Sequence, residues 1–151
     1  MKVIVARDPD QASSFAAHFV VRRIQRKPDL VLGLATGRTL VEFYRFLAQR
    51  HRAGEVSFGR VTTFNMDEYV GLAVDHPASY HAYMRRHLFE HVDLSPGAAH
   101  LPEGEPGAVL QAAEAYEQAI RAAGGIDLQM AGIGRNGHLA FNEPGDRKSV
   151  V

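Results

Sequence analysis

Three short apolar runs, each followed by a loop of glycine or polar residues, constrain the fold of this chain most strongly. The runs cover residues 30–33, 61–65 and 126–131, and helical patterns lie between them. Strands that alternate with helices form βα units, which give a mainly parallel sheet with right-handed crossovers. We therefore predict an α/β fold with an open, mainly parallel, Rossmann-like sheet and helices on both faces.

The spacing of apolar residues also predicts where the individual elements lie. Asp8 is a candidate N-cap for the first helix, and Phe15, Phe19 and Ile24 are expected on its buried face. The stretch 93–107 is rich in proline and glycine and is expected to be an irregular connection. Strands are expected at 2–5, 30–33, 61–65 and 126–131, and helices at about 9–26, 39–52, 79–91 and 106–123.

The loop after the strand at 30–33 is a candidate phosphate site. Thr36, Gly37, Arg38 and Thr39 offer backbone N–H groups, two hydroxyls and a helix N-terminus, all of which favour a bound phosphate. A tight turn with an N-cap is the alternative, because the segment is neither a P-loop nor a dinucleotide fingerprint. The carboxyl ends of parallel strands meet at one edge of a sheet, so this loop should lie beside the other two.

Two carboxylates, Asp67 and Glu68, follow the second strand closely. A carboxylate held at the ligand edge acts as a general base if burial raises its pKa toward neutrality. Acidic residues are also common in solvated turns and helix caps. The residue types alone leave both interpretations open.

The third loop, residues 132–144, combines three glycines with several hydrogen-bonding side chains. His138 and Glu143, flanked by Asn136 and Asn142, are candidates for a relay in which the carboxylate orients the imidazole and the imidazole transfers a proton. A purely structural histidine is the alternative. Because the loop is expected at the ligand edge, a catalytic role and a structural role for His138 are equally favoured.

Composition excludes several classes of protein. The 151 residues, 46% of them hydrophobic, are enough for the core of one domain. The 17 basic and 17 acidic residues cancel, so no charge excess favours nucleic acid or an anionic membrane as partner. There is no cysteine, which excludes disulfides and agrees with a cytoplasmic location. No apolar run is long enough for a signal peptide or a membrane span.

A metal site is not expected either. His87 and His91 are spaced to share one helical face, but no cysteine or carboxylate pattern of a zinc site accompanies them. We therefore predict that the chain binds no metal.

The sequence resembles the glucosamine-6-phosphate deaminase family. The resemblance implies an enzyme of amino sugar catabolism, an aldose–ketose isomerase and deaminase. Such an enzyme converts glucosamine 6-phosphate and water into fructose 6-phosphate and ammonia by ring opening, isomerisation and loss of the amino group, without a cofactor. The match extends from the amino terminus to about Gly145 and is carried by residues 61–72, His76, Pro77, Ser79, Tyr80 and residues 132–144.

The resemblance also implies roles for single residues. Asp67 matches the base that moves a proton between the first two sugar carbons, His138 matches the histidine that assists ring opening, and Glu143 matches the glutamate that works with it. Residues 36–39 match the loop that donates hydrogen bonds to the phosphate. Asn136 stands where some members carry an aspartate; an amide cannot take up a proton, but it can orient His138 through a hydrogen bond. The implied partner is a small-molecule sugar phosphate, and full-length members are often homo-oligomers.

The carboxyl end departs from the family pattern. Family members continue well beyond the position of Gly145, so we expect residues 1–145 to be the amino-terminal part of a single domain whose sheet is incomplete at the carboxyl end. Residues 146–151 can be encoded by GATCGGAAGAGCGTCGTG, which resembles a sequencing-library adapter. We hypothesise that this hexapeptide is a non-native tail.

Two other functions remain open. One is a hydrolase similar to 6-phosphogluconolactonase, which belongs to the same superfamily and has related loops. The other is a noncatalytic sugar-phosphate-binding protein, because a fold can keep a binding loop after its chemistry is lost.

Overall fold

The structure, a computed structural model, describes residues 3–104, 106–138 and 144–145. Four parallel strands form one sheet, so the predicted α/β fold with a parallel sheet is confirmed. The elements are α1 (Pro9–Arg26), β1 (Val31–Leu34), α2 (Leu40–Arg52), β2 (Thr62–Asn65), α3 (Tyr80–His87), a 3₁₀ turn (Phe89–His91), β3 (Ala99–His100), α4 (Val109–Ala122) and β4 (Leu128–Gln129).

The strand order, β3-β2-β1-β4, determines where a ligand can bind. From β1 the chain moves outward through β2 to β3, and it then returns to pair β4 with the other side of β1. The direction of winding therefore reverses between β1 and β4. In open α/β sheets the crevice at the carboxyl ends of such strands is the usual ligand site.

The two faces of the sheet are covered by different helices. Leu32 and Leu34 of β1 belong to the main core cluster, together with buried residues of α1 and α2. Successive side chains of a strand point to opposite faces, so Gly33 and its register partner Phe64 face the other way. On that side the Phe64 ring packs edge-on against Tyr116 of α4, with the centroids 5.7 Å apart. Helices on both faces are thus confirmed.

Helix α1 begins as predicted but buries a different face. The Asp8 carboxylate accepts a hydrogen bond from the Gln11 backbone N–H at 2.7 Å, which makes it the N-cap. The expectation that Phe15 and Phe19 are buried is wrong, since they are 46% and 56% exposed. A stripe of mostly small and β-branched residues lets α1 approach its neighbours closely instead: Ser13, Ala17, Val20, Val21 and Ile24.

Two predictions about strands are corrected. Residues 3–5 of the strand expected at 2–5 pair with no described strand and are exposed, so this expectation is wrong for them. In contrast, the stretch 93–107 is not entirely irregular, since Ala99–His100 pairs with β2 as β3. Two residues are too few to show an alternating pattern, so only the pairing reveals this strand.

The remaining differences concern the ends of elements. The helix expected at 79–91 ends at His87, where Leu88 leaves the helical region and a 3₁₀ turn follows. The helix expected at 106–123 begins at Val109, after Gly107 with a positive φ of 91°. Within the described ranges, no helix has the length and apolar character needed to cross a membrane.

Candidate active site

A cavity of about 430 Å³ lies at the switch point, where β1 and β4 end. Thr36, Gly37 and Thr39 line it after β1, Asp67 lines it after β2, and His138 lines it after β4. The three loops singled out in the sequence therefore meet at one site. Arg38 is exposed and is absent from the lining, and the side chain of Asn136 is exposed as well.

The backbone of the loop after β1 is shaped to present N–H groups. Gly37 has a φ of 132°, a conformation that side chains other than hydrogen rarely allow. The backbone N–H groups of Gly37, Arg38 and Thr39 donate to no other described residue, whereas the next one, of Leu40, donates to the Gly37 carbonyl at 3.0 Å. Free N–H groups at a helix N-terminus favour an anion.

Two tyrosines hold the carbonyl groups of the same loop. The Tyr83 hydroxyl donates to the Gly37 carbonyl at 2.7 Å, and the Tyr44 hydroxyl donates to the Ala35 carbonyl. Thr39, which precedes α2, makes no side-chain capping bond. The hydrogen bonds that its carbonyl groups accept therefore fix the loop conformation, and the Thr39 hydroxyl is not used for capping.

Asp67 has the environment expected of a general base. Burial raises the pKa of its carboxyl group, and the negative charge of Glu68 raises it further. Tyr80 lines the same cavity as Asp67 and Thr36, so it lies in the site together with the candidate base and the phosphate loop. Sequence reasoning did not select Tyr80 as a site residue, although the Ser79-Tyr80 pair belongs to the family-like motif.

Glu68 is used differently from its neighbour. Its side chain is only 4% exposed and accepts hydrogen bonds from the backbone N–H groups of Tyr69, Tyr80 and His81. Burial opposes its ionisation, but these bonds and one from the His81 ring lower its pKa overall. The helix-cap interpretation of the acidic pair therefore applies to Glu68, which lies at a helix start. The ligand-edge interpretation applies to Asp67, which lies in the cavity.

The loop after β4 is folded around His138. The Gly134 N–H donates to the His138 carbonyl at 2.8 Å, and the Gly137 N–H donates to the Gly134 carbonyl at 2.9 Å. A side-chain carbon built on Gly134 would lie 2.2 Å from the imidazole, so the ring lies directly across this glycine. Asn136 Oδ1 accepts from the His138 backbone N–H at 3.3 Å. Glu143 and Asn142, and the hexapeptide 146–151, lie outside the described residues.

The acidic and imidazole groups do not form a metal site in the part of the chain that the structure describes, where no three of them are grouped to hold an ion. The predictions of no metal and no cofactor stay predictions. The residues that meet in the cavity supply a carboxylate, an imidazole, hydroxyls and backbone N–H groups. This set suits proton transfer on a bound anion.

The chain belongs to the family of glucosamine-6-phosphate isomerases and 6-phosphogluconolactonases, whose family model matches residues 7–145. Over its whole length it is 46% identical to glucosamine-6-phosphate deaminase 2 of Bacillus subtilis (strain 168), and it covers 62% of that protein. It is 49% identical, over 95% of its length, to glucosamine-6-phosphate deaminase of Hahella chejuensis, of which it covers 55%. The chain thus spans less than two thirds of the length of these relatives.

Solved structures agree with this assignment. A monomeric glucosamine-6-phosphate deaminase superposes with a TM-score of 0.92 at 43% identity, over 96% of this chain and 60% of the other. A 6-phosphogluconolactonase of Thermotoga maritima superposes less well, with a TM-score of 0.65 at 26% identity, over 83% of this chain and 59% of the other. The likeness to the deaminase is the stronger of the two.

Proposed function

We propose that this chain carries the active site of a glucosamine-6-phosphate deaminase, which converts glucosamine 6-phosphate and water into fructose 6-phosphate and ammonia. The observation that carries the proposal is a cavity lined by Asp67, by His138 and by Thr36, Gly37 and Thr39 of the loop after β1. The names of the relatives support deaminase and isomerase chemistry on a sugar phosphate. A cytoplasmic location, an oligomeric state and a non-native tail at 146–151 stay predictions.

The phosphate is proposed to bind first, at the loop after β1. The N–H groups of Gly37, Arg38 and Thr39 donate to no other described residue, and the Thr39 hydroxyl makes no capping bond. These donors are proposed to hold the phosphate, together with Thr36. The N-terminus of α2 adds a favourable dipole. A phosphate held here leaves the sugar ring in the cavity, between Asp67 and His138.

The chemistry then follows as proton transfers. His138, with Glu143 as its proposed partner, passes a proton to the ring oxygen as the C1–O5 bond breaks, and Asn136 keeps the loop in place. At the same time the C1 hydroxyl loses its proton and becomes the aldehyde carbonyl. Asp67 then takes the proton from C2 while the C1 oxygen is protonated, which gives an enolamine. A proton returns to C1 as the amine gives one up, which leaves an imine at C2. Water adds there, ammonia leaves, and the ketone remains. A raised pKa makes the Asp67 carboxylate a stronger base for this step.

The experiment is to follow glucosamine 6-phosphate by NMR in the presence of the purified chain, with circular dichroism on the same sample to establish folding. We expect fructose 6-phosphate and ammonium to appear. Asp67→Asn should lower the rate by about 100-fold or more, because the amide accepts no proton. The same variant should leave the phosphate-induced amide shifts of residues 37–39 unchanged.

Each rival function has its own outcome. Hydrolysis of 6-phosphogluconolactone without turnover of the amino sugar would favour the hydrolase and contradict the deaminase. Amide shifts at residues 37–39 without any turnover, in a chain completed at its carboxyl end, would favour a noncatalytic sugar-phosphate-binding protein. Full activity of the Asp67→Asn variant would remove Asp67 from the mechanism.

A further inference from the structure

The carboxylate of Glu68 ties the loop after β2 to the first turn of α3. One oxygen accepts from the backbone N–H groups of Tyr69 and Tyr80 at 2.8 and 3.0 Å. The other accepts from the His81 backbone N–H at 3.0 Å and lies 2.8 Å from the His81 Nδ1 atom. Tyr80 and His81 are the first two residues of α3. Four contacts on one carboxylate that is almost fully covered form a rigid anchor.

The start of α3 does not need the four contacts of Glu68 for its own capping. Helix α3 already has an N-cap, since the Ser79 hydroxyl accepts from the Ala82 N–H at 3.0 Å. The same helix carries Tyr80 into the cavity and sends the Tyr83 hydroxyl to the Gly37 carbonyl. Fixing α3 therefore fixes both sides of the site, the loop that bears Asp67 and the proposed phosphate loop.

We propose that Glu68 is a positioning residue for the reaction: its buried, negatively charged carboxylate holds the Asp67 loop against α3 and keeps a permanent charge beside the base. This inference rests on the proposed function, in which Asp67 is the base. It assigns a mechanistic task to a residue whose hydrogen bonds would otherwise only stabilise a helix.

Glu68 differs from the tyrosines near Asp67 because it carries a negative charge. Besides Glu68, the titratable groups around Asp67 are Tyr80 of α3 and His138 after β4, which line the cavity, and Tyr116 of α4, which interacts with Asp67 electrostatically. Burial raises the pKa of both tyrosines, so they stay neutral near neutral pH. Adjacent carboxylates whose environments separate their pKa values are typical of acid–base sites. Here Glu68 stays ionised so that Asp67 holds its proton more tightly.

The test is a carboxyl ¹³C NMR titration of the intact chain, with Asp67→Asn used to assign the signal. We expect Asp67 to titrate above the ordinary aspartate range in the wild type. In Glu68→Gln its midpoint should fall by about half a pH unit or more, because the neighbouring charge is gone. A merely structural role would lower the melting temperature without moving this midpoint.

Asp93→Asn is the matched control. Asp93 also accepts hydrogen bonds from a side chain and a backbone N–H, from Ser57 and Phe58 at 2.5 Å each, but it lies near the amino end of β2. Its loss should destabilise the fold while the Asp67 midpoint stays at the wild-type value. An equal downward shift in both variants would assign the effect to general loosening and overturn the proposal.

Two further outcomes would overturn it. One is an unchanged Asp67 midpoint in a folded Glu68→Gln variant. The other needs no variant, and so holds even if Glu68→Gln does not fold: a wild-type Asp67 that titrates at or below the ordinary aspartate value. Because the titration needs no turnover, an inactive chain with a raised Asp67 midpoint would count only against turnover by these 151 residues and would leave the electrostatic role of Glu68 intact.

Discussion

Gly134 shows how a single position controls the placement of a candidate catalytic side chain. The imidazole of His138 lies where a Cβ on this residue would have to be, whereas the neighbouring glycine, Gly132, has open space in the same direction. The glycines of the loop look alike in the sequence, but their roles differ. Of the three, Gly134 is the one where a Cβ would clash with a side chain; at Gly137 the contact with Pro144 Cγ, at 3.7 Å, would be ordinary.

Gly134→Ala should therefore displace His138. The added methyl group would lie 2.2 Å from the ring, a distance that atoms do not tolerate, so the imidazole must rotate out of the cavity. We expect the turnover of glucosamine 6-phosphate to fall by about 10-fold or more, as for loss of a general acid. The ¹⁵N shifts of the imidazole should change at the same time.

Gly132→Ala is the control for this substitution. Apart from its chain neighbours, no described residue has a heavy atom within 4 Å of a methyl group there, and the backbone φ of Gly132 is not positive, so ring shifts and turnover should stay close to the wild type. Equal effects of the two substitutions would show that the loop adapts and that His138 is not held by Gly134.

Among the elements of the fold, helix α4 is only weakly attached to its neighbours. None of its residues is fully buried. Its main polar link is Tyr116, whose hydroxyl lies 2.7 Å from the Asn65 carbonyl and 3.0 Å from the His100 carbonyl. This one side chain thus joins α4 to the ends of β2 and β3, two residues before Asp67.

Tyr116→Phe should destabilise the fold by about 1–2 kcal/mol, because the two carbonyl groups lose the one hydroxyl proton that they share while the ring stays packed on Phe64. Urea unfolding measures the change. Tyr69→Phe is the control, since Tyr69 is 44% exposed and its hydroxyl accepts a hydrogen bond from the Tyr80 hydroxyl rather than donating to the backbone of a described strand. It should alter stability by less than about 0.5 kcal/mol. Similar losses for both variants would contradict the role of Tyr116.

The stability of the whole molecule should depend on pH through its anchored carboxylates. Hydrogen-bond donors outweigh burial and lower the pKa values of Glu68 and Asp93, and a hydrogen bond from Lys27 lowers that of Asp127. A carboxyl group whose pKa is lower in the folded state stabilises the fold fully above its unfolded value. That contribution is lost as the pH falls through the folded value.

We therefore expect the free energy of unfolding to decrease from about pH 5 downward, as measured by urea unfolding at several pH values. Asp67 acts in the opposite direction, since its raised pKa means that protonation favours the fold. The side chains of Asp93 and Asp127 are 43% and 26% exposed and are screened by solvent, so Glu68 should contribute most. Glu68→Gln should flatten the acid-side slope; an unchanged slope would assign it to other groups.

Much of this molecule follows from local features of its chain. The α/β class, the bounds of α1 and α2 to within a residue, and the N-cap Asp8 are set by periodicity and capping chemistry, which act over a few residues. Family membership follows from motifs around Asp67 and His138 for the same reason. The expectation that the three loops share one edge needed only the rule that parallel strands point the same way.

What the local pattern could not determine depends on contacts between distant parts of the chain. The switch point between β1 and β4, the existence of the two-residue β3, and the exposure of Phe15 and Phe19 all depend on which strands and helices become neighbours. The different positions of the adjacent Asp67 and Glu68, one in the cavity and the other at the start of a helix, also depend on such contacts. Sequence alone presents two equivalent acids there, and only the position of α3 supplies the donors that make them different.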